Sequence, residues 1–568
     1  MSPQLMSKRW NIRNPNPQLQ VELSNALGLH PIIVQLLINR QVTDIREAKS
    51  FLDAGLSHLH DPFLFKDMDR AVERIKKAKN DGEAVLIFGD YDVDGVTSSA
   101  LLYNCLTKAG IKAFNYIPHR MSEGYGLNHG IAEYAVEKGV ALIIAVDCGI
   151  NAFSAVDAIN QAGIDVIILD HHEPSEGQLP AAVAVINPKR EDCPYPFKGL
   201  ASVGLVAKLI QAFEGRFPEE YLDLIAIGTI ADVAQLRGEN RIFVKEGLPK
   251  IQKTRNIGLQ ALMDIAKISG KKFKPYYVGF ILGPRINATG RMDSAHASLE
   301  LLLADSKEQA SELAQTLENH NTQRQKMQKD IVQEALDIVE REVNFNQQKV
   351  IVLYKEGWHK GVLGIVASRI VEKYYRPTIV LSIKDGIGIG SARSISGFHL
   401  FEALTHCAEH LENFGGHKMA AGLTVREEKI ASFSQLINEF AANAMTVEDL
   451  LPTIELDGEV PLNQLSLKLA QIVDSLEPFG EGNPTPVFCS RNLSLKTAPV
   501  IHGKDTLKFW VTDGEVVVQA VGFGMGEKYF DLLKTTPKID LAYNLSIDDW
   551  NKDPIVSLKL KDIRESGE

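Results

Sequence analysis

The chain has 568 residues, which is too long for a single hydrophobic core and predicts several domains. Its composition is 45% hydrophobic and 23% charged, and it has neither an apolar run long enough for a membrane helix nor an amino-terminal signal segment, so we expect a cytoplasmic protein. The five scattered cysteines argue against a disulfide framework or a zinc ribbon, and the net charge of −11 disfavours a polyanionic substrate only weakly, because an acidic total can contain a basic groove.

The first half of the chain is predicted to contain a helical segment and an α/β domain. Residues 1–60 are expected to be a helical accessory region, because SNALGLHPIIVQLLINR starts with a capping serine and has an apolar face. From 61 to 304, short Val- and Ile-rich segments alternate with helical ones, which predicts a parallel sheet covered by helices. The expected strands are 84–88, 113–117, 141–146, 166–169 and 183–186.

The second half is predicted to contain a connecting helix, another α/β domain and a barrel. Residues 305–345 have apolar side chains at helical spacing and neither Pro nor Gly, as in one long helix, and 346–445 contain strands near 350–354 and 378–382. Residues 446–568 are β-rich, with about five strands, and predict a small barrel of the OB-fold type, in whose core we expect Phe509 or Trp510. The predicted fold class is α/β, with two α/β domains joined by the long helix around a cleft, plus this C-terminal β-barrel.

Three aspartates, Asp90, Asp92 and Asp94, directly follow the first predicted strand in FGDYDVDGVTSSA. Alternate residues of an extended backbone point to the same side, so the three carboxylates would repel one another unless cations neutralise them. Clustered carboxylate oxygens suit Mg²⁺ or Mn²⁺. The alternative is an acidic turn that caps the next helix, which is predicted over 97–108.

Acidic and imidazole side chains also follow other strands of this domain. Asp147 ends LIIAVD, the triplet Asp170, His171 and His172 ends VIILDHH, and Asp232 lies in IADV, at the end of a helix or in the loop after it. Taken singly, a strand-end aspartate usually caps a helix, and a lone histidine is usually not a ligand. Because ligands of open sheets bind at the carboxyl ends of the strands, the group as a whole predicts one metal centre.

These motifs resemble a known family. DYDVDGVTSS, VDCG, DHH and the aspartate of IADV, in this order and spacing, are similar to the DHH phosphoesterases, and GIGSARS and GGHKMAAG are similar to the associated DHHA1 domain. Adding GPRINATGR, GWHKGVLGIVASR and EPFGEGNPTPVF narrows the resemblance to the bacterial members that degrade single-stranded DNA as 5′→3′ exonucleases. The resemblance covers nearly the whole chain and is weakest before residue 60.

The resemblance implies two divalent cations, Mg²⁺ or Mn²⁺. One ion would be held by Asp92 and Asp147 with help from Asp90, and the other by Asp94, Asp147, His171 and Asp232, with Asp147 bridging the two. A bridging carboxylate suits the spacing of about 3.5–4 Å that two-metal phosphoesterases need. If the backbone is extended at His171 and His172, the first can ligate while the second faces the scissile phosphate or orients a ligand; Asp170 is expected to be structural or to support a ligand.

The resemblance also implies the residues that hold the DNA strand. Ser391, Arg393 and Arg291 would bind the terminal 5′ phosphate, and Arg120, Arg285 and His417 would contact the strand elsewhere. A surface salt bridge is the ordinary alternative for each arginine, and a tight turn packed on a sheet is the alternative for GGHKMAAG.

The implied setting is DNA recombination and repair in the bacterial cytoplasm, at the nucleoid. The expected protein is a monomer without a membrane partner, which acts on single-stranded DNA with a 5′ end, beside single-strand-binding protein and a RecQ-type helicase. Two alternatives stay open: a DHH phosphodiesterase or pyrophosphatase with a small substrate, which would not need the barrel, and a strand-binding factor with a degenerate metal site, against which the intact cluster argues.

Overall fold

The structure, a computed structural model, describes residues 8–119, 123–124, 126–175, 177–292, 294–548 and 553–567. The chain divides into two compact units, one made of Arg13–Asn321 with Leu456–Glu568 and the other of Thr322–Glu455 with the strand Arg9–Ile12. Within the described ranges no single helix is long and apolar enough to cross a membrane, although Pro17–Leu27 and Pro31–Asn39 pass that test jointly across a bend of 116°.

The amino-terminal segment is mainly helical, as predicted. Prolines occupy the first turns of its first two helices, where a missing N–H has no cost, and the third begins after Asp44, whose carboxylate accepts hydrogen bonds from two backbone N–H groups. Its elements are β1 (Arg9–Ile12), α1 (Pro17–Leu27), α2 (Pro31–Asn39) and α3 (Ile45–Leu52).

A five-stranded parallel sheet follows and confirms the predicted strands. The strand that precedes the three aspartates, Ala84–Gly89, is buried along its whole length, because helices cover both faces of the sheet. In spatial order the strands are β3 (Ala113–Tyr116), β2 (Ala84–Gly89), β4 (Val140–Val146), β5 (Asp165–Leu169) and β6 (Ala184–Ile186).

Helices form three hydrophobic cores around this sheet. One face is covered by α4 (Met68–Asp81), α5 (Val93–Lys108) and α8 (Ser202–Glu214), and the other by α6 (Gly130–Glu137) and α7 (Phe153–Gln161). A third core lies between α5 and the helices that follow α8. These are α9 (Leu222–Ala231), α10 (Gly238–Gln252), α11 (Ile257–Ile265), the single turn α12 (Pro275–Tyr277), a π-helical turn Val278–Leu282, α13 (Gly283–Met292) and α14 (His296–Leu303).

The predicted long helix is confirmed as α15 (Lys307–Glu342), and a second α/β domain follows it. Its five-stranded sheet contains both predicted strands; β7 and β8 are parallel, and the other neighbours are antiparallel. Its strands are β7 (Ile351–Glu356), β8 (Thr378–Lys384), β9 (Ile387–Arg393), β10 (Leu411–Gly416) and β11 (Ala420–Arg426), and its helices are α16 (Leu363–Tyr374), α17 (Leu400–His406) and α18 (Ile430–Ala444).

The carboxy-terminal domain is the predicted barrel. One strand, Phe488–Leu495, pairs with both Ile539–Asp548 and Thr506–Thr512, which closes the sheet into a ring. Phe509 is fully buried inside it, as expected for one of the two aromatics, whereas the next residue, Trp510, is half-buried on the outer face. A short strand before this domain, β12 (Thr453–Leu456), pairs with β1. The elements of the domain are β13 (Gly458–Glu459), α19 (Leu467–Asp474), β14 (Phe488–Leu495), β15 (Val500–His502), β16 (Thr506–Thr512), β17 (Val517–Phe523), α20 (Gly526–Thr535), β18 (Ile539–Asp548) and β19 (Ile555–Glu565).

The amino-terminal helices and the barrel domain share one hydrophobic core. Ile33 and Leu37 of α2 and Phe51 of α3 belong to the same buried cluster as Leu469 of α19 and Tyr543 of β18. The sequence predicted an accessory region at 1–60 but no partner for it, because the partner lies more than 400 positions away. The predicted domain boundaries themselves stay predictions.

The motif EPFGEGNPTPVF, at 477–488, connects this shared core to the domain with the parallel sheet. Carbonyl groups of Leu476 and Glu477 accept hydrogen bonds from the buried guanidinium of Arg241, at 3.0 and 3.2 Å. The carbonyl of Glu481 accepts one from the N–H of Leu236, at 2.7 Å. Because Leu236 follows Asp232 by four residues, the motif supports the loop that holds a predicted metal ligand.

Candidate metal centre

The three clustered aspartates surround the junction between β2 and α5. Asp90 is buried directly after β2, and Asp92 caps α5, since its Oδ1 accepts hydrogen bonds from the N–H groups of Asp94 and Gly95 at 2.9 and 3.2 Å. The helix therefore begins at Val93 and not at 97. The prediction of an extended backbone through Asp94 is wrong, because the cap starts the helix within the motif. A helix cap and a carboxylate cluster were alternative predictions for these aspartates, and the structure contains both.

Asp94 is oriented by a second helix. Both of its carboxylate oxygens accept backbone hydrogen bonds at the start of α8, from the N–H of Ser202 at 2.7 Å and of Val203 at 2.9 Å. The first amides of a helix have no partner within it and attract anions. Sequence analysis missed this support. A helix start after the loop GLA was visible in the sequence, but its distance from Asp94 was not.

Asp147 lies at the carboxyl end of β4 in the left-handed backbone region, with φ of 64°. Among residues other than glycine, Asp and Asn tolerate this conformation best. The Asp147 N–H donates to the carbonyl of Leu169 at 2.9 Å, so the turn stays joined to β5 while the carboxylate is buried.

The two adjacent histidines have different partners, as expected. His171 Nε2 lies 3.3 Å from Asp147 Oδ1, and its Nδ1 lies 3.8 Å from Asp232 Oδ2. His172 Nδ1 lies 2.7 Å from Asp170 Oδ1. Asp170 also accepts from the N–H groups of Ile150 and His172, which gives it the structural and supporting position that was predicted.

Asp232 ends α9, one of the two predicted positions, and the cluster is then complete. Ligand atoms lie within 4.8 Å of one another in three sets: Asp90 with Asp92 and Asp147, Asp94 with His171 and Asp232, and Asp147 with His171 and His172. The structure thus brings together every side chain predicted for the metal centre. Most of the donors are carboxylate oxygens, which suit Mg²⁺ or Mn²⁺.

Without cations the crowded carboxylates disfavour their own ionisation. Burial and the charge of Asp92 raise the pKa of Asp94 to about 7 despite its two amide hydrogen bonds. Burial and the charges of Asp94 and Asp92 raise the pKa of Asp232 to about 8, and burial with four neighbouring aspartates raises the pKa of Asp147 well above its usual range. Divalent cations would remove this repulsion.

The pKa values of the two adjacent histidines are shifted in opposite directions. Burial and the neighbouring His172 lower the pKa of His171 to about 4, so its imidazole is neutral at pH 7, as a metal ligand requires. Burial opposes protonation of His172 as well, but the hydrogen bond and charge of Asp170 outweigh it and raise the pKa of His172. The two rings therefore suit a ligand and a cationic group, respectively.

Two of the predicted phosphate-binding residues lie together on β9. Ser391 and Arg393 face the start of α16, and a Cβ placed on Gly364 would lie 2.8 Å from Arg393 Nη2 and 3.6 Å from Ser391 Oγ. A methyl group at position 364 would therefore displace the Arg393 guanidinium from this position. A hydroxyl, a guanidinium and a helix amino terminus are suitable groups for binding a phosphate.

The other residues predicted to contact DNA lie in different structural environments. Arg285 forms an ion pair with Glu318, with Nε 2.5 Å from Oε2, and its Nη1 donates to the carbonyl of Ile281, so its observed partners fit the ordinary alternative, a salt bridge.

Arg291 lies in the last turn of α13, where Gly290 packs so closely on the carbonyl of Tyr91 that a Cβ would come within 2.9 Å. His417 is exposed between β10 and β11. Arg120 lies outside the described residues. The DNA-binding roles of all four stay predictions.

Three segments of the chain match known domain families. Residues 84–229 match the DHH family, N-terminal domain; 347–443 match the DHHA1 domain; and 456–562 match the RecJ OB domain. The parallel sheet with carboxylates and imidazoles at its carboxyl edge is therefore that of a DHH-family protein.

Full-length relatives define the family further. The chain is 38% identical over 557 residues to the single-stranded-DNA-specific exonuclease RecJ of Bacillus subtilis (strain 168), covering 98% of this chain and 70% of that protein. Crystal structures of RecJ from Thermus thermophilus in complex with Mn²⁺ and with Mg²⁺ superpose with TM-scores of 0.84 and 0.78, at 29% and 28% identity, covering 99% of this chain and 80% and 79% of those chains. The chain belongs to the RecJ family.

Proposed function

We propose that this chain is a metal-dependent exonuclease that degrades single-stranded DNA from its 5′ end and releases 5′-mononucleotides. The observation behind the proposal is the meeting of carboxylates and a neutral imidazole at one edge of the sheet, in a member of the RecJ family. The proposed setting is recombination and repair in the bacterial cytoplasm, at the nucleoid. Single-strand-binding protein and a RecQ-type helicase are the proposed partners, and the proposed oligomeric state is a monomer.

Two divalent cations, Mg²⁺ or Mn²⁺, are the proposed cofactors. Asp90, Asp92 and Asp147 would hold one of them, and Asp94, Asp147, His171 and Asp232 the other, with Asp147 shared. When bound, the ions activate the nucleophile and stabilise the charge that develops on the phosphodiester. The amides at the start of α8 keep the Asp94 carboxylate aimed at its site, so little reorganisation is needed when the substrate arrives.

His172 is proposed to hold a phosphate oxygen of the substrate. The Asp170 carboxylate accepts the Nδ1–H of His172, so Nε2 faces the substrate and donates a hydrogen bond when the ring is cationic. The raised pKa of His172 favours the cation, which attracts the anionic phosphodiester. His171 differs because its lowered pKa keeps a lone pair for a metal ion.

The terminal phosphate of the strand is proposed to bind at the start of α16. Ser391 Oγ, the Arg393 guanidinium and the first amides of the helix would share its oxygens. Capture of an end rather than of a base sequence gives polarity without sequence specificity.

Digestion of end-labelled DNA tests the proposed function directly. A 5′-phosphorylated single strand with a label at either end is expected to lose its 5′ label first, as a mononucleotide, in Mn²⁺ or Mg²⁺. EDTA should stop the reaction, and blunt duplex DNA should resist it. Faster cleavage of a dinucleotide than of long strands would instead indicate a small-substrate phosphodiesterase.

Replacement of Arg393 by alanine tests the terminal phosphate site. Because charge-assisted hydrogen bonds contribute about 1.5–3 kcal/mol each, kcat/KM for a 5′-phosphorylated strand should fall roughly 10- to 100-fold. Cleavage of a 5′-hydroxyl strand should change little, so the preference between the two ends disappears. Competition between the two substrates measures that preference.

Two further variants extend this test, one expected to show the same effect and one serving as a control. Gly364→Ala should weaken the preference in the same direction, because its methyl group would collide with the Arg393 guanidinium. Arg426→Ala removes an exposed arginine at the end of the neighbouring β11 and should preserve the preference. An unchanged end preference in Arg393→Ala would place the terminal phosphate elsewhere.

A further inference from the structure

Two exposed aromatic rings stack on each other beside the third core. The rings of Tyr276 and Phe280 have centroids 5.2 Å apart and an interplanar angle of 25°, and the side chains are 59% and 72% exposed. Neighbouring aromatics are usually buried against the protein, as Phe273 is here. Because the two exposed rings are adjacent, they form a contiguous apolar patch, which is the kind of surface feature that marks a binding site.

The segment around this pair is basic in an acidic protein. Residues 265–292 contain four lysines, two arginines and neither Asp nor Glu, although the chain has 72 acidic residues among 568. Two acidic side chains from outside the segment face its lysines: Glu477 pairs with Lys274 at 2.7 Å, and Asp474 lies near Lys272 and Lys274. Lys271 lies over the ring of Tyr277, 5.8 Å from its centroid.

The inner side of the same segment packs next to the candidate metal centre. Val278 and Leu282 belong to the core that contains Ile227 of α9, the helix that ends at Asp232. A Cβ on Gly283 would lie 3.7 Å from the Cβ of Ala231, the residue before Asp232. The exposed pair is therefore one to two helical turns from the backbone next to a predicted metal ligand.

We propose that Tyr276 and Phe280 form a stacking surface for the unpaired bases of a single-stranded nucleic acid, with Lys271 and Lys272 beside its phosphates. Aromatic rings interleaved with basic residues are the usual means of binding a strand without reading its sequence, because every base has a stacking face. The inference rests on the proposed function and adds to it a second contact, for bases rather than for the metal-bound or terminal phosphate.

Equilibrium binding in EDTA tests this surface without cleavage. The probes are 5′-phosphorylated oligothymidylates of increasing length, with 2-aminopurine at successive positions, whose fluorescence falls when the base stacks. For a strand long enough to reach the surface, Tyr276→Ala/Phe280→Ala should bind roughly 10-fold more weakly or worse and should lose quenching at the stacked positions. Shorter strands should bind both proteins equally.

Matched variants separate stacking from charge and from apolar contact. Tyr276→Leu/Phe280→Leu keeps apolar side chains without rings and should behave like the alanine double variant, whereas Phe280→Trp keeps a ring and should retain quenching. Lys271→Ala/Lys272→Ala should reduce the log–log salt slope by roughly 0.7 for each phosphate that the lysines no longer neutralise, while the aromatic variants leave the slope unchanged. Phe63→Ala, at another ring that is 53% exposed, should have no effect.

Each contrary result has a distinct meaning. Wild-type affinity and quenching in Tyr276→Ala/Phe280→Ala would overturn the stacking surface and assign the pair to a protein partner, while leaving the exonuclease proposal intact. Equal weakening with Phe63→Ala would mean a general effect of surface aromatics and would also overturn it. A wild-type protein that neither binds nor degrades single strands would refute the proposed function itself.

Discussion

Asp147→Asn is expected to abolish cleavage while leaving the metal-free protein at least as stable as the wild type. Asp147 is the carboxylate proposed to be shared by both ions, and an amide oxygen has no charge with which to hold them. Loss of this ligand should lower kcat roughly 1000-fold or more with Mn²⁺. The fold should tolerate the change, because asparagine adopts the left-handed backbone of this position as readily as aspartate does.

The expected gain in stability follows from electrostatics. Burial and four neighbouring aspartates raise the pKa of Asp147, so its charge destabilises the folded metal-free protein at neutral pH. Substitution by a neutral side chain of the same shape removes that cost, and Tm in EDTA should stay constant or increase. Mn²⁺ binding, measured by calorimetry, should weaken in parallel with activity.

A matched substitution at an exposed site completes the test. Asp157 lies on the exposed side of α7, and Asp157→Asn should leave activity, metal binding and Tm unchanged. Substantial cleavage by Asp147→Asn would remove this residue from the metal centre. A large fall in its metal-free Tm would show that the carboxylate has a structural role instead.

The metal-free protein is expected to lose stability as pH rises from 5 to 8. Burial and neighbouring charges raise the pKa of Asp94 to about 7 and that of Asp232 to about 8, whereas an unfolded aspartate titrates near 3.8. Between these values the folded state binds more protons than the unfolded state, so the free energy of unfolding falls with increasing pH. Each unit of pKa difference corresponds to about 1.4 kcal/mol, so about two units for Asp94 and three for Asp232 give a loss on the order of 7 kcal/mol over this range.

Divalent cations should reverse this dependence. Protons and metal ions compete for the same oxygens, so the increase in Tm caused by saturating Mn²⁺ should be small at pH 5 and large at pH 8. Thermal unfolding with Mn²⁺ and with EDTA at several pH values measures the difference. Asp232→Asn serves as the comparison and should flatten the profile, because one raised pKa is gone. A metal-free Tm difference between wild type and variant that does not vary with pH would contradict the assigned repulsion.

The sequence was sufficient where local patterns decide the structure. The strands of the parallel sheet were predicted because each is a short apolar run bounded by turns, and β2 and β4 end where the acidic residues begin. Parallel strands present their carboxyl ends at one edge of a sheet, so the approach of Asp90 to Asp147 followed from topology alone. The family resemblance then implied how these residues divide between two ions.

Other features depend on contacts between distant segments, which no local pattern encodes. Asp94 meets the amides of Ser202 and Val203, and Arg285 meets Glu318, only because helices pack on one another. In the sequence, each arginine can form the same charge-assisted hydrogen bonds with a phosphate or with a carboxylate. Only the tertiary structure identifies the partner that is present.

The kind of chemistry follows from residue types and from their positions after strands, which are enough to predict a site for hard divalent cations. The tertiary structure decided the ionisation of each group, because burial and the distances between charges set the pKa values that separate His171 from His172. It also decided the supports of the site, from the α8 amides to the segment that follows α19. These contacts exist only after chain segments more than 100 residues apart have packed together.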